Sequence, residues 1–258
     1  MIDFTLAGKK IVVTGASSGI GRAIALSCAE AGADVIVMGR CRERLEECVS
    51  AFPYGIRSSI VTIDFNELHV FEEMEPAIAN VVAKLGKIDG FVHSAGSAYS
   101  RPLRVTQLSD FLTDYQLNVA AGFGLAGILS KKKYLNPAGA SFVFISSVTA
   151  RIGTAGKCSY SATKGALLSG ARALAAELCE KKIRINTVSP GYVANTGITR
   201  DDLERLTEEG RQRIERDHPL GIGEPDNIAG PVVFLLSDAA KWITGSDLCI
   251  DGGYGLRR

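Results

Sequence analysis

The sequence predicts an α/β fold, a doubly wound parallel sheet with helices on both faces, and three observations support that prediction. Short apolar runs rich in β-branched residues alternate with helical patterns along the whole chain, as in a parallel sheet covered on both sides. The first apolar run leads through a glycine-rich turn directly into a helix. The chain has 258 residues without an internal repeat or linker, so we expect a single domain over residues 1–258.

The composition argues against several partners. The net charge is +1, from 29 basic and 28 acidic residues, so no overall field attracts nucleic acid or an anionic membrane. No apolar run reaches the roughly 18 residues that span a bilayer, and the first residues lack a basic-then-apolar signal pattern. Six cysteines form no C-x-x-C pair, and three histidines form no ligand cluster, so we expect no metal site and a cytoplasmic protein.

The first strand, residues 9–14, opens into Thr14-Gly-Ala-Ser-Ser-Gly-Ile-Gly21 before a helix over 22–30. Glycines permit a tight turn and close backbone approach, while a helix N-terminus offers free N–H groups to a pyrophosphate. The spacing is G-x-x-x-G-x-G instead of the usual G-x-G-x-x-G, yet the flanking strand and helix are those of a dinucleotide site. Cofactor contacts are therefore expected from Gly15, Ser17, Ser18, Gly19, Ile20 and Gly21.

The end of the second strand indicates which dinucleotide binds. In a Rossmann unit an acidic residue at this edge hydrogen-bonds the ribose 2′-hydroxyl of NAD. Here the strand over 34–38 is followed by Gly39 and Arg40, with no acid at the edge. A guanidinium suits a 2′-phosphate in charge and in geometry, which favours NADP(H). The alternative is a solvated helix start, because glutamates interleave with the arginines after residue 40.

The remaining elements follow in the same alternation. Strands are expected at 59–63, 87–92, 141–145, 183–188 and, at an edge, 246–250; helices are expected at 66–85, 106–132, from the Tyr160 region to 181, and 225–236. The third strand ends at Asp64, whose carboxylate could accept a hydrogen bond from an adenine amine. The next residue, Phe65, is also expected to contact the cofactor. Residues 195–218 are highly charged and are expected to form a helical flap over the substrate.

Candidate catalytic residues lie between 144 and 164. Tyr160 and Lys164 are four apart, so on a helix they share one face. An ammonium beside a phenol favours the phenolate, so we expect Lys164 to lower the Tyr160 pKa and make it an acid/base catalyst. Ser147 follows a strand end that could bring its hydroxyl to the same reacting oxygen. Asn118 lies on an apolar helical turn, where a buried amide must find partners: it is either a hydrogen-bond hub or a relay for water.

Together these residues resemble the short-chain dehydrogenase/reductase family over essentially the full chain. The matching features, in order, are the glycine motif 14–21, Asp64, Ala95-Gly96, Asn118, Ser147, Tyr160-Ser-Ala-Thr-Lys164 and Pro190-Gly191. The resemblance implies that Tyr160 is the general acid and that Ser147 orients the substrate carbonyl. It also implies that Lys164 binds the nicotinamide ribose and lowers the Tyr160 pKa, while Asn118 holds a water that links Lys164 to solvent. Further implied cofactor contacts are Ala95, Gly96, Tyr160, Lys164, Pro190, Gly191, Val193, Asn195 and Thr196.

The resemblance further implies a Rossmann-like sheet of seven mostly parallel strands in the order 3-2-1-4-5-6-7 and a homotetramer or homodimer. Two positions depart from the family pattern. The usual Asn-Asn-Ala-Gly loop is His93-Ser-Ala-Gly96 here, which changes the hydrogen bonds behind the cofactor. The usual threonine five residues past Pro190 is Asn195, with Thr196 next, so either side chain could reach the carboxamide.

The tail motifs, 219–225, 242–245 and 251–253, resemble the β-ketoacyl carrier-protein reductase branch. We expect an NADPH-dependent reductase of a 3-oxoacyl thioester, with Lys131–Lys133 and Lys181–Lys182 available to an acidic carrier protein. Lysines at helix ends also complement the helix dipole without any partner. The alternatives are the same chemistry on a small sugar, steroid or secondary-metabolite ketone, or a regulatory NADP-binding protein without catalysis.

Overall fold

The computed structural model describes residues 4–67, 69–199 and 207–256. Seven strands form one sheet in the order 3-2-1-4-5-6-7, and every neighbouring pair is parallel. The predicted Rossmann-like fold and strand order are confirmed. The strands are β1 Lys10–Thr14, β2 Asp34–Gly39, β3 Ser58–Thr62, β4 Gly90–His93, β5 Ala140–Ile145, β6 Ile183–Pro190 and β7 Asp247–Ile250.

Helices cover both faces of this sheet. They are α1 Gly19–Glu30, α2 Arg42–Ser50, α3 Val70–Leu85, α4 Leu108–Tyr115, α5 Ala121–Leu129, α6 Cys158–Leu178, α7 Glu208–Asp217 and α8 Pro225–Leu236. The inner strands are buried on both sides, so successive residues along each of them pack into different cores. Phe142 and Phe144 of β5 point into the core on the α3, α5 and α6 face, while Val143 points into the core on the α1 and α8 face.

The parallel arrangement brings the carboxyl ends of all seven strands to one edge of the sheet. Thr14 and His93 are partners in the β1–β4 register, and His93 is in turn the partner of Phe144 in β5. The glycine motif follows β1, Arg40 follows β2, and Ser147 lies two residues beyond β5. Ligands of open α/β sheets bind at this carboxyl edge, and we call it the carboxyl edge below.

The prediction of one continuous helix over 106–132 was wrong, because a π-helical turn interrupts it. It begins at Leu108, and α4 and α5 are joined by a π-helical turn, Gln116–Ala120, that contains Asn118. A π-turn closes i→i+5 hydrogen bonds and occurs mostly as a single turn at functional positions. Local sequence periodicity does not distinguish it from an ordinary helical turn.

Smaller boundary differences have local causes. The helix predicted from residue 66 begins at Val70, because the Asp64 carboxylate accepts from the backbone N–H of Asn66 at 3.0 Å and holds a turn. The strand predicted from residue 87 begins at Gly90. Within the predicted flap, α7 is helical with Thr207 as its N-cap, and residues 200–206 lie outside the described part of the chain. Among the described residues no helix is both long and apolar enough to cross a bilayer.

Candidate active site

The structure brings Ser147, Tyr160 and Lys164 together at the carboxyl edge. Lys164 is 5% exposed, its Nζ lies 5.6 Å from the centroid of the Tyr160 ring, and it donates to the carbonyl of Ile145 at 2.8 Å. The hydroxyl of Ser146 donates to the carbonyl of Lys164 at 2.9 Å. This bond ties the end of β5 to α6, so Ser147 is held beside the first turns of the helix.

The protonation of the pair differs from the sequence-based expectation. Burial lowers the pKa of Lys164 from 10.5 to about 8, because the ammonium loses hydration. Burial also raises the pKa of Tyr160 to about 12, and a hydrogen bond with Ser147 offsets only part of that rise. The net shift of the Tyr160 pKa in the chain by itself is thus upward, and desolvation of the phenolate is its largest cause. The Nζ of Lys164 lies 5.6 Å from the ring centroid, and the lowering of the Tyr160 pKa by Lys164 stays a prediction.

Ser147 presents its hydroxyl in a defined orientation. It caps a short 3-10 turn, Val148–Ala150, and its Oγ accepts from the backbone N–H of Thr149 at 3.2 Å and from the Thr149 hydroxyl at 3.0 Å. Because these two donors supply hydrogens to the oxygen, the Ser147 hydroxyl proton is left to donate elsewhere. A donor placed beside Tyr160 is what a polarised carbonyl oxygen needs.

Asn118 is fully buried in the π-turn. Its Nδ2 donates to the Thr163 hydroxyl at 3.0 Å and to the Ser97 carbonyl at 3.1 Å, and its Oδ1 accepts from the Ser97 N–H at 2.8 Å. Of the two alternatives, the side chain is thus a hydrogen-bond hub, which joins the loop after β4 to α6. A Cβ on Gly96 would lie 3.0 Å from the Asn118 Oδ1 and 3.4 Å from the Lys164 Nζ, so Gly96 keeps that gap open.

The glycine motif forms a turn that tolerates no side chains at two positions. Gly15 has φ +70°, and a Cβ there would lie 2.8 Å from the backbone nitrogen of Ala95. A Cβ on Gly21 would lie 2.3 Å from the Gly15 carbonyl oxygen. Ser18 is the N-cap of α1 without a side-chain cap bond, so the first amides of the helix are left for an anion. The local geometry fits the pyrophosphate of a dinucleotide.

Arg40, Asp64 and Phe65 are the predicted cofactor contacts that follow β2 and β3. Arg40 is exposed at the end of β2 and has no ion pair with any described residue, whereas Arg42 pairs with Glu46 at 2.8 Å. Asp64 ends the β3 segment and holds Asn66, and Phe65 is buried. Arg40 is therefore a guanidinium that is available to a ligand at this edge of the sheet.

The opposite rim of the site follows β6. Pro190 ends the strand, and a Cβ on Gly191 would lie 2.8 Å from the Asp251 Cα. Val193 is buried and forms a bridge with residue 223. A buried carboxylate behind this rim was missed by the sequence reasoning: Asp247 accepts from the Ser189 hydroxyl at 2.8 Å and pairs with Arg151 at 2.7 Å. No signal in the sequence links Asp247 to Ser189 or Arg151, because these residues lie far apart along the chain.

The structure separates the two candidates for the contact after Pro190. Asn195 adopts φ +55°, is exposed, and donates to the Glu224 carboxylate at 3.0 Å. Thr196 is 6% exposed, and its Cα lies 3.0 Å from where a Cβ on Gly19 would be. Thr196 thus lies at the glycine turn. The left-handed backbone of Asn195 directs its own side chain to Glu224, away from that turn.

Comparison with known proteins agrees with this geometry. A family model described as "Enoyl-(Acyl carrier protein) reductase" matches residues 15–255. The chain belongs to the short-chain dehydrogenase/reductase family. The match contains the ends of β2 to β7 and the candidate site from Gly15 onwards, so the resemblance seen in the sequence is confirmed.

Individual members of the short-chain dehydrogenase/reductase family extend the comparison. An L-rhamnose 1-dehydrogenase (NAD(P)(+)) of Azotobacter vinelandii is 35% identical, covering 96% of this chain and 97% of its own length. The 3-oxoacyl-(acyl-carrier-protein) reductase FabG of Aquifex aeolicus is 32% identical, covering 98% and 99%. A solved 7α-hydroxysteroid dehydrogenase, complexed with NADH and 7-oxo glycochenodeoxycholic acid, superposes with a TM-score of 0.89 at 30% identity, covering 97% and 96%.

Proposed function

We propose that this protein is an NADP(H)-dependent oxidoreductase that interconverts a ketone and a secondary alcohol, with Tyr160 as the proton donor in reduction. One observation carries the proposal: the Tyr160 phenol hydrogen-bonds with Ser147 and lies beside Lys164, whose Nζ is 5.6 Å from the centroid of its ring. A proton donor and a hydroxyl that converge on one point are what a developing alkoxide requires. A regulatory protein without catalysis would not need this arrangement.

The residues divide the work as follows. Ser147 donates to the substrate oxygen and fixes its position, and Tyr160 delivers the proton to the same oxygen. Lys164 supplies positive charge beside the phenol, and Asn118 holds the loop at Ser97 and the helix at Thr163 in register. The protein contribution is positioning and charge stabilisation.

The cofactor proposal rests on the turn that excludes side chains at Gly15 and Gly21 and on the exposed Arg40. The residues that would hold the dinucleotide are those predicted from the sequence, with Thr196 in place of Asn195 at the glycine turn. When bound, the nicotinamide supplies or accepts the hydride. Arg40 would pair with a 2′-phosphate, which favours NADP(H) over NAD(H). Among the relatives, the rhamnose dehydrogenase is named for both cofactors.

Two substrate classes are comparably supported by the relatives, a sugar and a 3-oxoacyl thioester. The placement of the lysines favours a free small molecule. Lys131–Lys133 precede β5 and Lys181–Lys182 precede β6, so both groups lie at the amino edge of the sheet, opposite the catalytic edge. Lys131 and Lys133 also pair with Glu75 at 2.5 and 2.8 Å. Neither group is placed to dock a carrier protein whose thioester enters at the carboxyl edge.

The test is a substrate panel followed by NADPH absorbance. Oxidation of L-rhamnose and related sugars with NADP⁺ is compared with reduction of acetoacetyl thioester, a 7-oxo steroid and simple ketones with NADPH. We expect turnover of at least one sugar or small polar ketone, lost by roughly a thousandfold or more in Tyr160→Phe. A preference for the thioester would select the second candidate. NADPH binding without turnover of any panel member would contradict the enzymatic proposal.

We also propose a homotetramer or homodimer in the cytoplasm, with residues 195–218 as a flap on the single domain. An exposed apolar stripe supports association: Leu103, Val105, Leu108, Leu112 and Tyr115 are all 50% or more exposed. A Cβ added to Gly165 on α6 would have no neighbour within 4 Å. A Cβ added to Gly170 would instead clash with the ring of Phe123 in the same chain. Gly165, and not Gly170, therefore belongs to a surface open to another copy. Light scattering on the purified protein measures the oligomeric state.

A further inference from the structure

His93 is a buried polar side chain for which the proposed function has no role so far. It ends β4 and is 1% exposed. The ring lies among Phe65, Phe91 and Phe144, with centroid distances of 6.5, 6.3 and 6.2 Å. On its other side it rests on the start of α5, where a Cβ on Gly122 would lie 2.5 Å from its Cδ2. A glycine at 122 is needed to make room for the imidazole.

The hydrogen bonds of Thr14 determine the tautomer of this imidazole. The Thr14 hydroxyl oxygen accepts from the N–H groups of Ser94 and Ala95, both at 3.1 Å. It also lies 3.0 Å from the Nδ1 of His93. A hydroxyl has two acceptor lone pairs and one proton. With both lone pairs used by the backbone, Thr14 must donate its proton to Nδ1, so the hydrogen of a neutral imidazole is on Nε2.

The Nε2 of His93 lies at the start of α5, where a Cβ on Gly122 would be 3.0 Å from it. It has no hydrogen-bond partner among the described residues, although a buried donor requires an acceptor. Hydrogen bonding with the backbone of Asn118 and Leu117, both in the π-turn, offsets part of the lowering of the His93 pKa. A π-turn disturbs the regular i→i−4 ladder. The backbone carbonyls of this turn are the candidate acceptors for Nε2–H.

We propose that His93 is a positioning residue: its Nε2–H holds a carbonyl of the π-turn and so sets the place of Asn118. Its Nδ1 side is fixed through Thr14 to the loop that follows β4 and packs on the glycine turn. The imidazole thereby links the cofactor loop to the hub that joins Ser97 and Thr163 near Tyr160. The sequence pattern of the family has an asparagine at this position. An amide carries both a donor and an acceptor, so an asparagine side chain would keep the link in a smaller form.

The first test needs no enzymatic activity. The chain contains three histidines, so ¹⁵N-histidine labelling gives three imidazoles, and loss of one in His93→Asn assigns the signal of His93. We expect a neutral ring with a bare Nδ1 and a protonated Nε2, unchanged from pH 8 to pH 5. An Nδ1–H tautomer, or protonation within this range, would overturn the proposal.

The second test rests on the proposed function and separates positioning from folding. His93→Phe keeps a ring of similar size without hydrogen bonds, His93→Asn keeps a donor and an acceptor, and His69→Asn is the matched control at an exposed histidine. We expect kcat to fall roughly tenfold or more in His93→Phe, since small misplacements are costly, with the KM for NADPH changed less than about threefold. His93→Asn should recover part of the loss, and the control should match wild type.

Two outcomes of the kinetic test would contradict the proposal. Wild-type kcat in His93→Phe would show that the link does not matter for the reaction. A loss in His93→Asn as large as that in His93→Phe would show that a hydrogen-bond donor and acceptor at position 93 do not supply the link. If no substrate is turned over, the proposed function fails, and the tautomer measurement still decides the geometry.

Discussion

The Nζ of Lys164 lies 5.6 Å from the centroid of the Tyr160 ring and donates to the carbonyl of Ile145 instead of the phenol. Both groups are consequently governed by burial: the pKa of Lys164 falls to about 8 and that of Tyr160 rises to about 12. At neutral pH the site therefore contains a protonated phenol beside an ammonium. This is the state from which Tyr160 could donate a proton to a substrate oxygen.

The pH dependence of reduction should report Lys164. Below pH 8 both Tyr160 and Lys164 are protonated, so kcat should be level; above about pH 8 Lys164 loses its charge and kcat should fall. In Lys164→Arg the guanidinium stays charged to above about pH 12, and the remaining rate should be level over the same range. The measurement is kcat from about pH 6 to about pH 10. A fall near pH 8 in both proteins would assign the titration to another group.

Lys164→Met should be more stable than wild type and inactive. The lowered pKa of Lys164 means that the unfolded chain binds an extra proton between about pH 8 and 10.5, so the buried ammonium destabilises the folded protein at and below pH 8. Removing it should raise the free energy of unfolding at pH 7 by roughly 1–3 kcal/mol, and the gain should shrink as pH rises towards 10.5. Urea unfolding at several pH values measures this. A loss of stability at pH 7 would contradict it.

Arg40 should determine the preference between the two cofactors. Arg40→Ala removes a guanidinium available for a 2′-phosphate, so kcat/KM for NADPH should fall roughly tenfold or more while that for NADH stays within about twofold. Arg44→Ala, at an exposed arginine four residues on, serves as the control and should change neither. An equal loss with both cofactors would show that Arg40 acts on the fold instead of on the phosphate.

His93 should make the protein sensitive to acid. Its pKa falls from 6.5 to about 3 in the folded state because of burial, so the unfolded chain binds one more proton between those values. Stability contributed by the neutral ring is complete above pH 6.5 and is lost as pH falls towards 3, at about 1.4 kcal/mol per pH unit. His93→Asn removes that slope. Unfolding free energies at about pH 6.5, 5.5 and 4.5 in both proteins give the difference, and equal slopes would refute the assignment.

Much of the architecture follows from local sequence signals. Alternating apolar runs and helical patterns indicated a parallel sheet, and the seven-strand order came from the family resemblance. Pro225 and Leu236 bound a helix as predicted, since proline at the first helical position is a local signal. The site residues near Ser147 and Tyr160 were found because spacing along a helix and at a strand end is likewise local.

Other properties depend on residues distant in the chain, and only the tertiary structure decided them. The Tyr160 pKa depends on how much water its neighbours exclude, and desolvation is the largest cause of its rise. Asn195 turns towards Glu224, 29 residues further along the chain, and neither that contact nor the π-turn at Asn118 follows from the local sequence. The sequence by itself determined which residues meet at the carboxyl edge; the fold decided their protonation and hydrogen bonds, because burial and orientation are set by contacts among several elements at once.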